Sequence, residues 1–564
     1  MPSFDAGLDL TVAEGITNGE LPYRDLRYFY GPVGVFSLAA AFELLGTSLT
    51  VAFLFGFAQT IAILSAFYLL ARRWLEPVTA GLCTLLLLTI AFSGTFFDFV
   101  LPHTNAGTFG CLFLILELLA LTHRRNALAG LAAGILLLTR PEFAAFAGAV
   151  ALGAVMGQWR DAGPREAARM AALLIGPALV VAGVVYGALA STAGWHRLFF
   201  ENIVPVDFAR ISGGRLQGGW APFDLSSAVA LAARGALVAL PAIALAMTIS
   251  SMRSRRDLWG RLLALWPLAA AVAGIALAAA IWRLLGIFPE ARIQVEDEAA
   301  RLLSAMAWLP LPALGLLVWS VLRLRRGEAA AWRDWTSDLA LLAGASAAGL
   351  RTYNEFTTDS YAPYYAALPI LAAGLLATTL ERGGREWRPV GQIVLGVAAA
   401  ALALHAYVGL YSDDVATVST PRGDYRWYRD GGPEVEQTVR YIDRRAPAGA
   451  PILVLPDDPG LHFLSGHRPA LYESTFLPGT LDSEGDERAA VRRLERVRPP
   501  IVVFGAQRTD NFGFAEIGKD YNRILVRYVR ESYRPTARFG DVGNPTSENL
   551  PARAFTVWER RPEP

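Results

Sequence analysis

Lysine is nearly absent from this chain: Lys519 stands against 51 lysine and arginine residues in a total of 564. The bias reflects genome composition more than mechanism. Cysteine is equally scarce, with Cys83 and Cys111 both inside apolar runs, where a thiol serves as a small buried hydrophobe. No disulfide framework is expected. Charge of either sign is sparse at 18% of residues, and the net charge is +1. That balance gives no electrostatic case for nucleic acid as a partner. The first thirty residues are polar and lack the apolar centre of a cleavable signal peptide. There is no P-loop, dinucleotide fingerprint, zinc-ligand spacing or hydrolase elbow, and no internal repeat or long low-complexity tract.

What is abundant is apolar sequence. At 54% hydrophobic residues and a mean hydropathy of +0.36, the chain is too apolar for an ordinary soluble protein of this length. It reads as a polytopic membrane protein. Runs of roughly twenty apolar residues, enough to cross about 30 Å of hydrocarbon, fall near 48–70, 77–96, 106–122, 127–140, 141–157, 171–192, 226–250, 262–283, 302–322, 336–350, 363–380 and 390–411. About twelve spans result. The segment 32–46 is apolar but too short to span, and reads as a helix lying along the interface.

Arginine groups at Arg72/Arg73, Arg124/Arg125, Arg160/Arg165/Arg169, Arg253/Arg255/Arg256/Arg261, Arg323/Arg325/Arg326/Arg333 and Arg382/Arg385/Arg388 fall in alternate loops, which the positive-inside rule makes cytoplasmic. The other loops hold most of the acids and are then extracytoplasmic: 1–47, 97–105, 139–142, 193–225, 284–301, 351–362 and everything after 411. An external start without an export signal leads us to expect a further helix upstream of the sequence. After Tyr411 the apolar runs shorten to strand length, as at 452–455 and 501–504, each preceded by a helical pattern, 433–445 and 486–497. The fold class expected is an all-α polytopic membrane domain, 48–411, followed by a small soluble α/β domain, 412–564. Residues 1–47 form an external loop with juxtamembrane helices.

That first loop carries the densest chemistry. Asp5 opens it, Gly19-Glu20-Leu21-Pro22-Tyr23-Arg24-Asp25 follows about a helix later, and Tyr30-Gly31-Pro32 closes it. The pattern resembles the first extracytoplasmic loop of GT-C fold membrane glycosyltransferases, the superfamily of polyprenyl-phosphate-sugar-dependent enzymes that includes the protein mannosyltransferase-like and aminoarabinose transferase-like groups. The resemblance covers roughly residues 1–411. The family usually has a second acid after the first, where this chain has Ala6, so Asp5 is left as the single candidate base and a metal-holding acid pair is not indicated.

The resemblance implies transfer of a sugar from a polyprenyl-phosphate donor to an envelope lipid, glycan or protein acceptor at the outer face of a bacterial inner membrane, with inversion at the sugar. Such a reaction needs a base for the acceptor, cations or dipoles for the departing phosphate, and a groove for the lipid. It requires no nucleotide cofactor. Asp5 is the candidate catalytic base, and its plain alternative is a helix N-cap. Asp25 and Arg27 are candidates for orienting an arginine or binding a sugar hydroxyl, or else form a solvated cluster. Tyr30 stacks on sugar or anchors at the interface. Asp98 matches the further acid that many relatives place in the second external loop, with His103 and Asn105 as the alternatives.

Arg140 and Glu142 resemble the basic-Pro turn of many relatives, where a guanidinium fork suits phosphate; the alternative is an internal ion pair. Arg234, about two turns inside an apolar span, either meets the lipid phosphate or snorkels outward. Arg351, Glu355, Asp359 and Tyr361 form the richest polar-aromatic loop of the later spans. A transporter or flippase for a lipid-linked or polar substrate is the rival reading, and a non-catalytic role in envelope assembly is a third.

Overall fold

The computed structural model of the protein describes residues 4–92, 97–203, 311–316, 334–352, 361–382, 388–410, 415–509, 514, 516–543, 546–547 and 553–562. Arg234, Glu355 and Asp359 lie outside them, as do the expected spans at 226–250 and 262–283.

The chain opens with α1 (Phe4–Thr17), and Gly31 then caps α2 (Pro32–Leu45), whose first-turn proline supplies the fixed φ and missing N–H that a helix start tolerates. Ser48 accepts from Val51 N and starts α3 (Leu49–Ala71), while Pro77 starts α4 (Pro77–Ala91). Thr104 caps α5 (Asn105–Thr122), which the turn at 123–125 reverses into α6 (Asn126–Leu136). Next come α7 (Pro141–Ala162) and the longest described helix, α8 (Pro164–Ala193), and then a short α9 (Trp195–Leu198) that runs into a π-helical turn over Phe199–Ile203. Further along lie α10 (Trp335–Thr352), α11 (Ala362–Tyr365), α12 (Ala367–Arg382) and α13 (Arg388–Leu410).

Among the described residues α3, α5 and α8 are long and apolar enough to cross a membrane, and α2, α4 and α6 are shorter apolar helices. The protein is a membrane protein. One apolar core joins α3 to α8 with α10 to α13, and the outward side of α8 leaves Ile175, Leu179, Val180 and Val184 more than half exposed, as a lipid-facing surface requires.

The part after residue 414 is an α/β unit. It begins with an antiparallel hairpin, β1 (Val415–Thr420) and β2 (Gly423–Tyr428), followed by α14 (Gly432–Arg445). Its main sheet has β3 (Leu453–Leu455) parallel to β4 (Ile501–Gly505); β4 pairs antiparallel with the last strand, Phe555–Arg560, and that strand pairs with Tyr533–Phe539. Helices at Gly460–Ser465, Glu484–Val497 and Arg523–Ser532 complete it. The helix–strand pairs expected at 433–455 and 486–504 are present within one or two residues of the expected limits.

Packing ignores the change in composition near residue 411. A second core runs without interruption from Leu8, Val35 and Phe42 into Val418, Ile452, Phe463 and Val557, with the rings of Phe42 and Phe463 stacked at 5.7 Å. Hydrogen bonds stitch the same seam: Thr11 Oγ1 donates to Pro459 O (2.9 Å), Arg27 N to Tyr472 O (2.8 Å), and Leu49 N to Arg422 O (2.8 Å). Arg422 also pairs with Glu14.

Candidate active site

The first loop folds back on itself through Tyr23. Its backbone sits in the left-handed region (φ 66), where an ordinary residue costs on the order of 1–2 kcal/mol. The conformation allows Tyr23 N to donate to Leu26 O at 2.8 Å and the buried phenol to donate to Tyr30 O. Tyr30 is thereby fixed from below. Gly31 then packs directly on the end of α6: its N–H donates to Thr139 O at 2.6 Å, and a Cβ there would fall 2.1 Å from Leu138 O and 2.3 Å from Thr139 O. Only glycine permits this approach. The contact carries the Tyr30 ring to Arg140.

Arg140 is the extended N-cap residue before Pro141, so it leaves the 139–142 turn sideways. Its Nε forms an ion pair with Glu142 Oε1 at 2.7 Å, and its guanidinium lies 4.0 Å from the ring centroid of Tyr361 and 5.1 Å from that of Tyr30. The hydroxyls of the two tyrosines are 3.3 Å apart. Glu142 also accepts from Tyr365 at 2.6 Å, and the guanidinium of Arg351 lies 5.7 Å from the Tyr365 ring. The Arg140 side chain is 10% exposed, and among the described residues its buried Nη1 has no hydrogen-bond partner. An ion pair and an unsatisfied donor therefore coexist on one guanidinium that is flanked by aromatic rings.

The second loop closes the other side. His103 stacks on Phe97 (4.3 Å between centroids, 5° between planes) and its Nδ1 lies 3.4 Å from the Tyr361 hydroxyl. Asp98 is spent locally, accepting from Val100 N and Leu101 N, each at 2.7 Å. Burial raises its carboxyl above the usual range, with those amides pulling the other way.

Asp5 is the second residue of α1. One turn later stands Asp9, which the reading of the sequence passes over. It is 1% exposed and accepts from the Tyr28 hydroxyl (2.7 Å), Asn105 N (2.6 Å) and Asn105 Nδ2 (3.1 Å). Asp9 thus locks α1 to the first turn of α5. The spacing of four from Asp5 is the signal that was there to be read.

The structure therefore brings Tyr30, His103, Arg140, Glu142, Arg351 and Tyr361 together. Asp25 is engaged elsewhere, accepting from Leu21 N at 2.9 Å and pairing with Arg24; the hydrogen bond from Arg24 holds it below the usual carboxylate range. Arg27 is buried and donates to Thr480 O at 2.8 Å in the C-terminal unit. Among the described residues no three His, Cys, Asp or Glu side chains come together in a way that would hold a metal.

The chain matches no protein-family model and no curated protein. Solved structures do resemble it. ArnT from Cupriavidus metallidurans, bound to undecaprenyl phosphate, aligns over 98% of this chain and 93% of its own at 14% identity, with a TM-score of 0.39. The Archaeoglobus fulgidus oligosaccharyltransferase in its apo form aligns over 89% of this chain and 66% of its own at 11% identity, with a TM-score of 0.50. The same archaeal enzyme, AglB, in complex with an inhibitory peptide and a dolichol-phosphate aligns over 96% and 70% at 13% identity, with a TM-score of 0.47. At these identities the likeness is one of fold. The chain has the GT-C fold of membrane glycosyltransferases.

Proposed function

We propose that the protein is an inverting glycosyltransferase that moves a sugar from a polyprenyl-phosphate donor to an acceptor hydroxyl or amide on an envelope lipid, glycan or protein. Asp5 takes the acceptor proton as the acceptor atom attacks the anomeric carbon. The bond from that carbon to the phosphate oxygen breaks, and polyprenyl phosphate leaves with the electron pair. Arg140 receives the phosphate charge, supported by Arg351. Tyr30, Tyr361 and His103 face the sugar, and Arg234, Glu355 and Asp359, which lie outside the described residues, remain candidates from the sequence for the same substrate. The reaction lies at the extracytoplasmic face of the bacterial inner membrane.

One observation carries this reading. Among the described residues, Arg140 keeps a buried donor without a partner beside two tyrosine rings, although it already has Glu142 as a counter-ion. A phosphate oxygen would satisfy that donor with a charge-assisted hydrogen bond. The test is transfer in proteoliposomes with radiolabelled polyprenyl-phosphate sugars. Asp5→Asn should abolish turnover while leaving donor binding intact, and a folded Asp5→Asn variant with full activity would remove the assignment.

The transporter reading draws support from Glu117. It lies fully buried in α5, about 18 Å along the helix from Asn105, and neither of its carboxyl oxygens has a hydrogen-bond partner. Ionisable groups inside spans mark ion or substrate paths in transporters. Sealed vesicles that accumulate substrate without a glycosylated product, and lose that uptake with Glu117→Gln, would favour it.

A further inference from the structure

Away from Arg140, a polar cavity of about 370 Å³ opens where the C-terminal unit meets the first loop and the π-helical turn after α9. Arg27, Arg197 and Arg493 line it against Glu201, Glu473, Asp482 and Asp486. The lining carries three positive charges and four negative ones. Such a balance disfavours an anion such as a phosphate headgroup, and the alternation of donors and acceptors suits a neutral ligand that offers both in every direction.

The cavity is built and partly unsatisfied. Arg27 is 7% exposed; its Nη1 is tied to Thr480 O, yet among the described residues its buried Nε has no partner. Buried Thr480 Oγ1, on the same wall, also lacks one among them. Glu201, 9% exposed, accepts from the Tyr472 hydroxyl, and the guanidinium of Arg197 lies 4.8 Å from the Tyr472 ring. Burial raises Glu473 above the usual carboxylate range despite the neighbouring arginines Arg27, Arg493 and Arg197. Unpaired buried donors are costly, and a vicinal diol answers both kinds of group at once, donating to a carboxylate and accepting from a guanidinium.

We infer that this cavity is a binding site for a neutral glycan, one or two sugar residues deep, which holds the acceptor by hydroxyls remote from the one that reacts. The inference rests on the glycosyltransferase reading for its purpose, but not for its test. Sugar binding to the full-length protein in detergent is measured with no lipid donor present, using a panel of neutral mono- and disaccharides as probes, with inorganic phosphate and glucuronic acid as anionic controls.

A neutral disaccharide is expected to bind in the millimolar range or tighter, and Glu473→Gln and the exposed Arg493→Ala should each weaken it at least fivefold while leaving the thermal midpoint unchanged. Arg27→Lys, which keeps the charge but loses the fork, should weaken it further. Binding of phosphate or glucuronic acid in preference to neutral sugars would overturn the inference, as would binding unaffected by all three substitutions or no binding of any probe. Those outcomes leave transfer from a polyprenyl-phosphate sugar untouched, whereas loss of transfer with intact sugar binding would count against the glycosyltransferase reading alone.

Discussion

Replacing Arg140 by methionine separates two jobs that the residue performs together. The side chain is 10% exposed and Glu142 is 16% exposed, so the substitution leaves a buried carboxylate without its cation, a change that typically costs about 3–5 kcal/mol. Tyr365 still donates to Glu142 at 2.6 Å, which places the expected loss near the lower end, about 3 kcal/mol. Glu142→Gln on its own strands the guanidinium instead. Combining the two removes both charges, and the stability of the double variant should return to within about 1 kcal/mol of the parent, because a buried pair and its neutral replacement are often nearly equivalent.

Activity should not return. If Arg140 receives the leaving phosphate, both the single and the double variant lose about 100-fold or more in turnover, the scale on which one well-placed electrostatic donor contributes. Thermal midpoints in detergent give the first quantity, and release of polyprenyl phosphate in proteoliposomes gives the second. A double variant that regains stability and turnover together would refute the argument, since the arginine would then only neutralise the turn.

Three other outcomes follow from the same geometry. Gly31→Ala places a methyl within 2.3 Å of two carbonyl oxygens, so the 138–140 turn must move by about 1 Å; stability should fall by about 1–3 kcal/mol and the turnover of the folded protein about 100-fold, and unchanged kinetics would show that Tyr30 and Arg140 need not be in register. Asp9→Asn weakens the clasp on Asn105 and Tyr28 and should cost about 1–3 kcal/mol, read as faster hydrogen exchange at the start of α5.

The third outcome concerns pH. Burial pushes His462 down to about 3 from its usual 6.5, so the native state binds fewer protons than the unfolded one and stability declines as pH falls below 6.5. Asp458, pushed up to about 6 by burial, acts in the opposite sense between 6 and its usual 3.8. Relative to the wild type, His462→Asn should gain about 1.4 kcal/mol for each further unit of acidification. A stability difference independent of pH between 6.5 and 4 would contradict this.

Much of the site is local in sequence and could be read there. Thr139-Arg140-Pro141-Glu142 announces a turn because proline suits the first position of a helix and not its interior, whereas the close approach at Gly31 shows only once the end of α6 is in place. The alternating pattern of the last 150 or so residues likewise announces an α/β unit. Asp9 carries only the weak signal of its spacing from Asp5, and the partners that give it meaning lie 19 and 96 positions away. The cavity beside Tyr472 was hidden for the same reason: Glu201 reaches Tyr472 across 271 positions. No window of sequence spans such a distance. The composition changes near residue 411, but composition says nothing about packing, and the second core joins residues on both sides of that point.

The seam between α1 and the C-terminal unit has a consequence for how the protein is made. Thr11 waits for Pro459, 448 positions later, and a ribosome adding about 5–20 residues per second takes about 20–90 s to cover that interval. For that time α1 has no lid for its apolar side. One of the first segments to be synthesised is thus among the last to be completed, so a chain terminated before residue 415 lacks Arg422, Pro459, Phe463 and Tyr472 and leaves α1 and the first loop without these anchors.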